Sequence, residues 1–176
     1  MSEAALVEPA TVMAQAGETF EELYRRAFPR VYAYVATLLR DSSAAEEVTA
    51  QAFERAYRKR RQYKPGRGSP DAWLFGIARN AALDELRRHK RKATLEVDPE
   101  DTSYIAPEEH VEHTLRRATV KAALAGLEPH ERDLVGLKFS AGLTNAEIAK
   151  VIGASESNAG TRLHRVIEKL RKACDA

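Results

Sequence analysis

Asn145 to Arg165 reads NAEIAKVIGASESNAGTRLHR, and this stretch decides the fold. Thr144 stands before it and Glu147 follows three residues later, the spacing of a capping box. Gly153 supplies a helix stop. Together they predict a helix over 145–152. Ser155 is placed to cap a second helix, whose inward residues Ala159, Leu163, Val166 and Leu170 recur at steps of three and four. Only GAS lies between the two. Two helices around so short a turn have the outline of a helix-turn-helix, whose second helix enters the major groove by its N-terminal part. The outward residues are then Ser157, Asn158, Thr161, Arg162 and Arg165. Short polar side chains can touch base edges, while Arg162 and Arg165, flanked by His164, can hold phosphate. A plain helical hairpin inside a bundle has the same outline. The polar outer face and the basic end HRVIEKLRK favour DNA. The reading edge is odd all the same: Glu156 and Gly160 stand where a DNA reader usually carries base.

Working back from this stretch, SAGLT is a break. EPHERDLVGLKF begins a helix with Leu134, Val135 and Leu137 inward, and 118–127 reads as another helix. Further upstream, ATLEVDPEDTSYIAPEEHVEH (93–113) has two prolines and no sustained period, which predicts a linker. The first half of the chain is also helical in pattern. Phe20, Leu23, Tyr24, Ala27, Phe28, Val31, Val35 and Leu38 mark one face of an amphipathic helix, with Pro29 inside the pattern and a kink or break therefore expected near Phe28. Ser42 or Ser43 is placed to cap a second helix, with Glu46 and Glu47 near its positive end. It runs to about Gln62 with Val48, Ala52, Phe53, Ala56 and Tyr57 inward. YKPGRGSPD (63–71) is a loop. Ser69 followed by Pro70 starts a third helix, carrying Trp73, Leu74, Ile77, Ala81 and Leu86 and ending in RRHKRK. Three helices with one apolar face each can close a small bundle. Residues 1–17 are small, polar and aperiodic, which predicts a loose leader.

The bulk numbers agree with such a plan. The 176 residues are 44% apolar and 31% charged, enough for one domain or two small ones. No apolar run approaches the length of a membrane span, and the longest, VYAYVATLL, has half of it. The N-terminal segment has acids and no basic region, so no secretory signal is expected. Cys174 is alone and forms no internal disulfide. A reduced cytoplasmic or nucleoid-associated protein is the simplest expectation. Net charge is only +2, yet it is unevenly spread. Glu54 to Lys92 holds 13 Lys/Arg against 4 acids, and Leu95 to His113 holds 7 acids and no Lys/Arg. A basic surface followed by an acidic tether is one reading; solvated helix faces are the other. The basic block also carries Tyr57, Tyr63, Trp73 and Phe75. Rings on which bases stack, beside cations that track the backbone, suit single-stranded nucleic acid. Trp73 and Phe75 could equally be core residues at helical spacing.

Enzyme chemistry finds no support. His110 and His113 lie one helical turn apart, but two ligands do not make a metal site. KPGRGS lacks the Gly-Lys-Ser/Thr ending of a phosphate loop. No nucleophile and base are suggested, and no cofactor is implied.

Three blocks of the sequence carry a resemblance: AAEEVTAQAFERAYRKRRQY, DAWLFGIARNAALDELRR, and LEPHERDLVGLKFSAGLTNAEIAKVIGASESNAGTRLHRVIEKLRK. In this order and separation they resemble the bacterial RNA polymerase sigma factors of the sigma-70 superfamily, in the extracytoplasmic-function group. The likeness spans roughly Phe20 to Lys172. It implies an all-α fold of two small helical domains: a leader over 1–17, sigma domain 2 over 18–92, a flexible acidic linker over 93–113 and sigma domain 4 over 114–176.

The resemblance also implies roles. Glu46, Glu47, Val48, Gln51 and Phe53 align with the part that grips the clamp of the largest subunit of core RNA polymerase, and domain 4 with the part that meets the flap of the second subunit. Tyr63, Lys64, Arg67, Trp73, Arg79, Asn80, Asp84, Arg87 and Arg88 align with the part that opens and reads the −10 element of promoter DNA. Extruding a base costs a few kcal/mol, which an aromatic, cationic pocket can offset. Ser155, Ser157, Asn158, Thr161, Arg162, His164 and Arg165 align with the −35 reader. An anti-sigma factor holds many relatives silent. Two departures bear on this. The usual Gln-Glu pair of the clamp motif is Ala50-Gln51, and a frequent cation of the last helix is Gly160. Two other readings compete. One is a stand-alone helix-turn-helix regulator of duplex DNA. The other is a module that sequesters a polymerase subunit without reading DNA.

Overall fold

The computed structural model describes residues 17–95 and 111–176. The expected leader, apart from Gly17, and the centre of the expected linker lie outside the described residues, as does His110. The elements are helices: α1 (Phe20–Leu39), α2 (Ser42–Lys59), α3 (Pro70–Leu95), α4 (Val111–Ala125), α5 (Pro129–Val135), α6 (Asn145–Ile152) and α7 (Glu156–Asp175). Helix α3 runs on to Leu95 and α4 begins at Val111, so helix enters both ends of the 93–113 segment. None of the described helices is long and apolar enough to cross a membrane.

Local chemistry sets the ends of these helices. Thr19 caps α1 through a capping box with Glu22. The helix then passes through Pro29 without ending, so of the kink or break expected near Phe28 the break does not occur. Proline removes one backbone bond, but the apolar face on either side is fully buried: Leu23, Ala27, Val31, Tyr34, Val35 and Leu38. That packing outweighs the lost bond, whose cost is about 3 kcal/mol in a helix interior. The cap of α2 is Asp41, not Ser42 or Ser43; its carboxylate accepts from the Ala44 N–H at 3.0 Å. Aspartate fills the role because α1 stops at Arg40, in the left-handed region at φ 58°, which leaves Asp41 extended. Helix α2 gives way to a 3-10 turn at Arg60–Gln62, and Tyr57, expected inward, is nearly half exposed. Its ring carries the Arg60 guanidinium at 3.8 Å, so it stays half in solvent.

The helix-turn-helix forms as its spacing predicts. Thr144 Oγ1 accepts from the Glu147 N–H and the Glu147 carboxylate accepts from the Thr144 N–H, 3.2 and 2.8 Å. Gly153 ends α6 at φ 70°, a conformation that costs a side chain strain. Ser155 caps α7. Thr144→Ala is expected to cost about 1 kcal/mol, read as a lower denaturation midpoint at unchanged m-value. An unchanged midpoint would mean that the cap adds nothing.

Helices α1, α2 and α3 form one bundle, and α4 to α7 a second. The two bundles are not separate. Helix α5 and the π-type turn that continues it (Gly136–Ser140) pack on α1, and α6 packs on α3. One apolar cluster runs through both, from Leu23 and Phe75 to Leu137, Ile148 and Val166.

Candidate nucleic-acid interface

Two exposed surfaces carry the residues singled out from the sequence. The first is the N-terminal part of α7. Alternation of inward Ala159, Leu163 and Val166 leaves Ser157, Asn158, Thr161, Arg162, His164 and Arg165 exposed together. Ser155 is exposed too, but its hydroxyl is engaged as the cap, accepting from the Asn158 N–H at 3.2 Å. Thr161 likewise spends its hydroxyl on the Ser157 carbonyl. Gly160 faces α6; a Cβ there would lie 3.6 Å from the Asn145 side chain. A cation at 160 would thus start from the helix crossing rather than from the open face. The base of the motif is held by Lys169, whose ammonium meets the Glu131 carboxylate on α5 at 2.7 Å. Burial pushes Glu131 up, but the hydrogen bonds from Lys169 and the Glu128 backbone outweigh it and hold its pKa below the usual carboxylate range.

The second surface joins the 63–71 loop to α3. Ser69 caps α3, accepting from the Ala72 N–H at 3.1 Å, and Pro70 opens the helix. Tyr63 folds back under the loop and donates to the Gly68 carbonyl at 2.9 Å. Its ring meets that of Trp73 at 5.6 Å between centroids. Trp73 is half-buried, whereas Phe75 is wholly inside, so of these two rings only Trp73 is available to a ligand. Around Tyr63 and Trp73 opens a cavity of about 430 Å³, with Lys64, Arg67 and Asn80 on its walls. Lys59 and Gln62 line it as well. Neither residue stands out in the sequence by a motif of its own, although Lys59 belongs to the basic run 58–61. An aromatic wall with cations at the rim can stack one base and hold its phosphate.

Other expected residues divide into groups. Arg87 and Arg88 are exposed on α3, paired within their own helix to Asp84 at 3.0 Å and Glu85 at 2.7 Å. Asp84 also stands 3.8 Å from Arg55. Arg79 does not point into solvent: its Nε donates to Asp133 of α5 at 2.7 Å. On α2, Glu46 and Glu47 are exposed and Gln51 half-exposed, so they form a polar strip. Val48 and Phe53 lie beneath it in the core, with the Phe53 ring 4.8 Å from that of Tyr24. They shape the strip rather than form part of its surface. Among the described residues no cluster of His, Cys, Asp or Glu is arranged to hold a metal ion.

Comparison with known proteins adds a second line of support. Residues 23–92 match the family described as Sigma-70 region 2, and residues 111–170 match Sigma-70, region 4. The chain is 37% identical over 161 residues to the RNA polymerase sigma factor CarQ of Myxococcus xanthus, covering 89% of this chain and 90% of that one. It is 30% identical over 166 residues to the ECF RNA polymerase sigma factor SigK of Mycobacterium ulcerans, covering 90% and 87%. Among solved structures, the fold is similar to the sigma factor RpoE of Bartonella quintana, crystallised with the anti-sigma factor NepR. There the TM-score is 0.73 at 19% identity, over 89% of this chain and 97% of that one. It is also similar to CnrH in complex with the cytosolic domain of CnrY, with a TM-score of 0.65 at 21% identity over 89% and 87%.

Proposed function

We infer how this chain works from one premise: it belongs to the sigma-70 family of RNA polymerase sigma factors, in the extracytoplasmic-function (ECF) group. It binds core RNA polymerase and directs promoter-specific initiation of transcription, recognising −35 and −10 elements and helping to melt the latter. The observation that carries this is the pairing of regions 2 and 4 in one chain, together with a likeness to CarQ that covers 89% of this chain and 90% of that one. Its role is that of a specificity subunit rather than an enzyme, acting in the cytoplasm on the nucleoid.

The residue assignments are our reading. The polar strip Glu46, Glu47 and Gln51 meets the clamp of the largest polymerase subunit, with Val48 and Phe53 setting its shape from below. Domain 4 meets the flap of the second subunit. The cavity around Tyr63 and Trp73 receives a base of the melted −10 strand, Asn80 offers its amide to that base, and Lys64 and Arg67 neutralise phosphate. Asp84, Arg87 and Arg88 continue this surface along α3, while the Arg79 guanidinium, expected there too, is engaged by Asp133. On the −35 element, Ser157, Asn158 and Thr161 face base edges, Ser155 orients the helix, and Arg162, His164 and Arg165 follow the backbone. An anti-sigma protein is a further partner in this reading, by analogy with the RpoE–NepR complex.

Run-off transcription with core polymerase on genomic promoter fragments tests the assignment of function. Specific starts that depend on this protein are expected. Starts that require a different sigma factor would favour a stand-alone regulator. Within the −35 surface, Arg162→Ala is expected to flatten the salt dependence of promoter binding by the holoenzyme. Each phosphate contact removed lowers the log–log slope by about 0.9. An unchanged slope would take Arg162 out of the interface.

A further inference from the structure

We propose that Asp71 is a positioning residue for the −10 pocket: gripped by Arg26 and Arg30 of α1, it fixes the first turn of α3 and with it the direction in which Trp73 faces the melted strand. The proposal rests on the sigma-factor reading above and concerns the same pocket. An acid is an odd neighbour for a strand of phosphates. Ala72 and Trp73 line the cavity, yet the residue before them carries a negative charge.

Its partners account for it. Arg26 Nη1 donates to both oxygens of the Asp71 carboxylate, at 2.9 and 3.0 Å, and Arg30 Nη1 donates to Oδ1 at 2.8 Å. Arg26 is held in turn by Glu18, whose two oxygens accept from its Nε and Nη2 at 2.8 and 3.0 Å. A guanidinium engaged along both edges has little freedom to turn. Two acids and two guanidiniums cancel, and the Asp71 side chain is only 19% exposed.

Asp71 and Trp73 are two residues apart, about 200° around the helix. One side of the first turn is therefore tied to α1, while the opposite side carries the ring that lines the cavity. Such a tie matters most at a helix start, where N–H groups lack partners within the helix and the end frays. The Trp73 N–H opens the backbone ladder here, donating to the Ser69 carbonyl at 3.1 Å. Further along, Leu74, Phe75 and Ala78 are wholly buried and hold the helix by packing. The other wall of the pocket feels the same carboxylates. Burial, with the charges of Asp71 and Glu18, pushes the Tyr63 hydroxyl above its usual range. It stays protonated and donates to the Gly68 carbonyl, which keeps its ring against that of Trp73.

Two variants of opposite charge test the role. Asp71→Asn removes a negative charge beside the strand, and Arg26→Gln removes a positive one. Acting as bare charges on DNA, they would shift promoter opening in opposite directions. Acting as partners in positioning, both lower it. Each variant holoenzyme is expected to form about fivefold fewer open complexes, the upper end for a partly exposed ion pair, with initial duplex binding unchanged. Permanganate reactivity of melted thymines reads the opening. The double variant is expected to lose no more than either single one, since both break the same pair. Arg26 is chosen over Arg30 because Arg30 also lies over the Phe75 ring, whereas the Arg26 side chain is partly exposed. Trp73 is the only tryptophan of the chain, so its emission reports on the pocket in the full chain without polymerase. Both variants are expected to shift that emission to the red and to open it to quenching by acrylamide.

Opposite effects on opening, additive losses, or unchanged Trp73 emission would overturn the proposal. So would an Arg26→Gln variant that opens promoters normally, the result for an acid that serves only the dipole of α3. Equal losses in opening and duplex binding would overturn it too, because a general loosening of the bundle produces them. If the wild-type holoenzyme opened no promoter, the sigma-factor reading would fall, while the emission of the two variants would still decide the role of Asp71.

Discussion

Phe75→Ala is expected to destabilise the protein by about 3–5 kcal/mol, the range for a fully buried phenylalanine. The ring has no exposure and sits where α1 and α3 meet. It packs edge-on to Tyr34 at 5.7 Å, and the Arg30 guanidinium lies 5.6 Å from its centroid. Removing it leaves a void walled by two helices that hold each other along much of their length. Relaxation into that void is limited, so both the transfer and the cavity contributions are lost. Tyr34 also carries a bond to Asp133, so its loosening weakens the junction between bundles too. The loss can approach the whole stability of a small domain, about 5–15 kcal/mol. Urea denaturation followed by helical circular dichroism reads it directly. A loss under about 1 kcal/mol, the size expected for a single cap, would mean that Phe75 is not the core residue described here.

Trp73→Ala, two residues and about 200° around the helix from Phe75, is expected to act on function instead. Base–aromatic stacking is worth about 1–3 kcal/mol per base, which is roughly 5-fold to 150-fold in an equilibrium. If a −10 base stacks on Trp73, the variant holoenzyme should form open complexes weakly while its initial binding to duplex promoter, carried largely by α7, changes little. Permanganate reactivity of melted thymines reads the first, and gel mobility at low temperature the second. Trp73→Phe should restore much of the opening, because phenylalanine also offers a stacking face. Equal losses of both steps, or no rescue by phenylalanine, would return Trp73 to a packing role beside Tyr63.

These two neighbours show how far local pattern reaches. Periodicity places 73 and 75 in one helix but does not tell a core ring from a ligand ring. Phe75 is enclosed because α1 lies across it, and Trp73 is left at an edge because the 63–71 loop meets its ring through Tyr63 and leaves a cavity open beside it. Val48 and Phe53 teach the same lesson on α2, where the expected contact surface is the polar strip above them. Pro29 and Asp41 are cases where local rules were outweighed: one by a buried helix face, the other by the left-handed Arg40 that set where the next helix could begin.

The helix-turn-helix was legible from residues 144 to 166, because its signals are local. A capping box, a glycine stop, a second cap and a steady apolar period act over three or four residues each. The basic and aromatic character of the 54–92 block was legible for the same reason. What only the tertiary structure decided is which of these surfaces are free. Tyr34 and Asp133 are 99 residues apart, and nothing near either of them announces the other. Arg79 reads from sequence as a cation for DNA and proves to be held by that same aspartate. Short-range hydrogen bonding and helical period are written in adjacent residues. The docking of one bundle on another depends on shape and charge matching between distant surfaces, and that match exists only once both have folded.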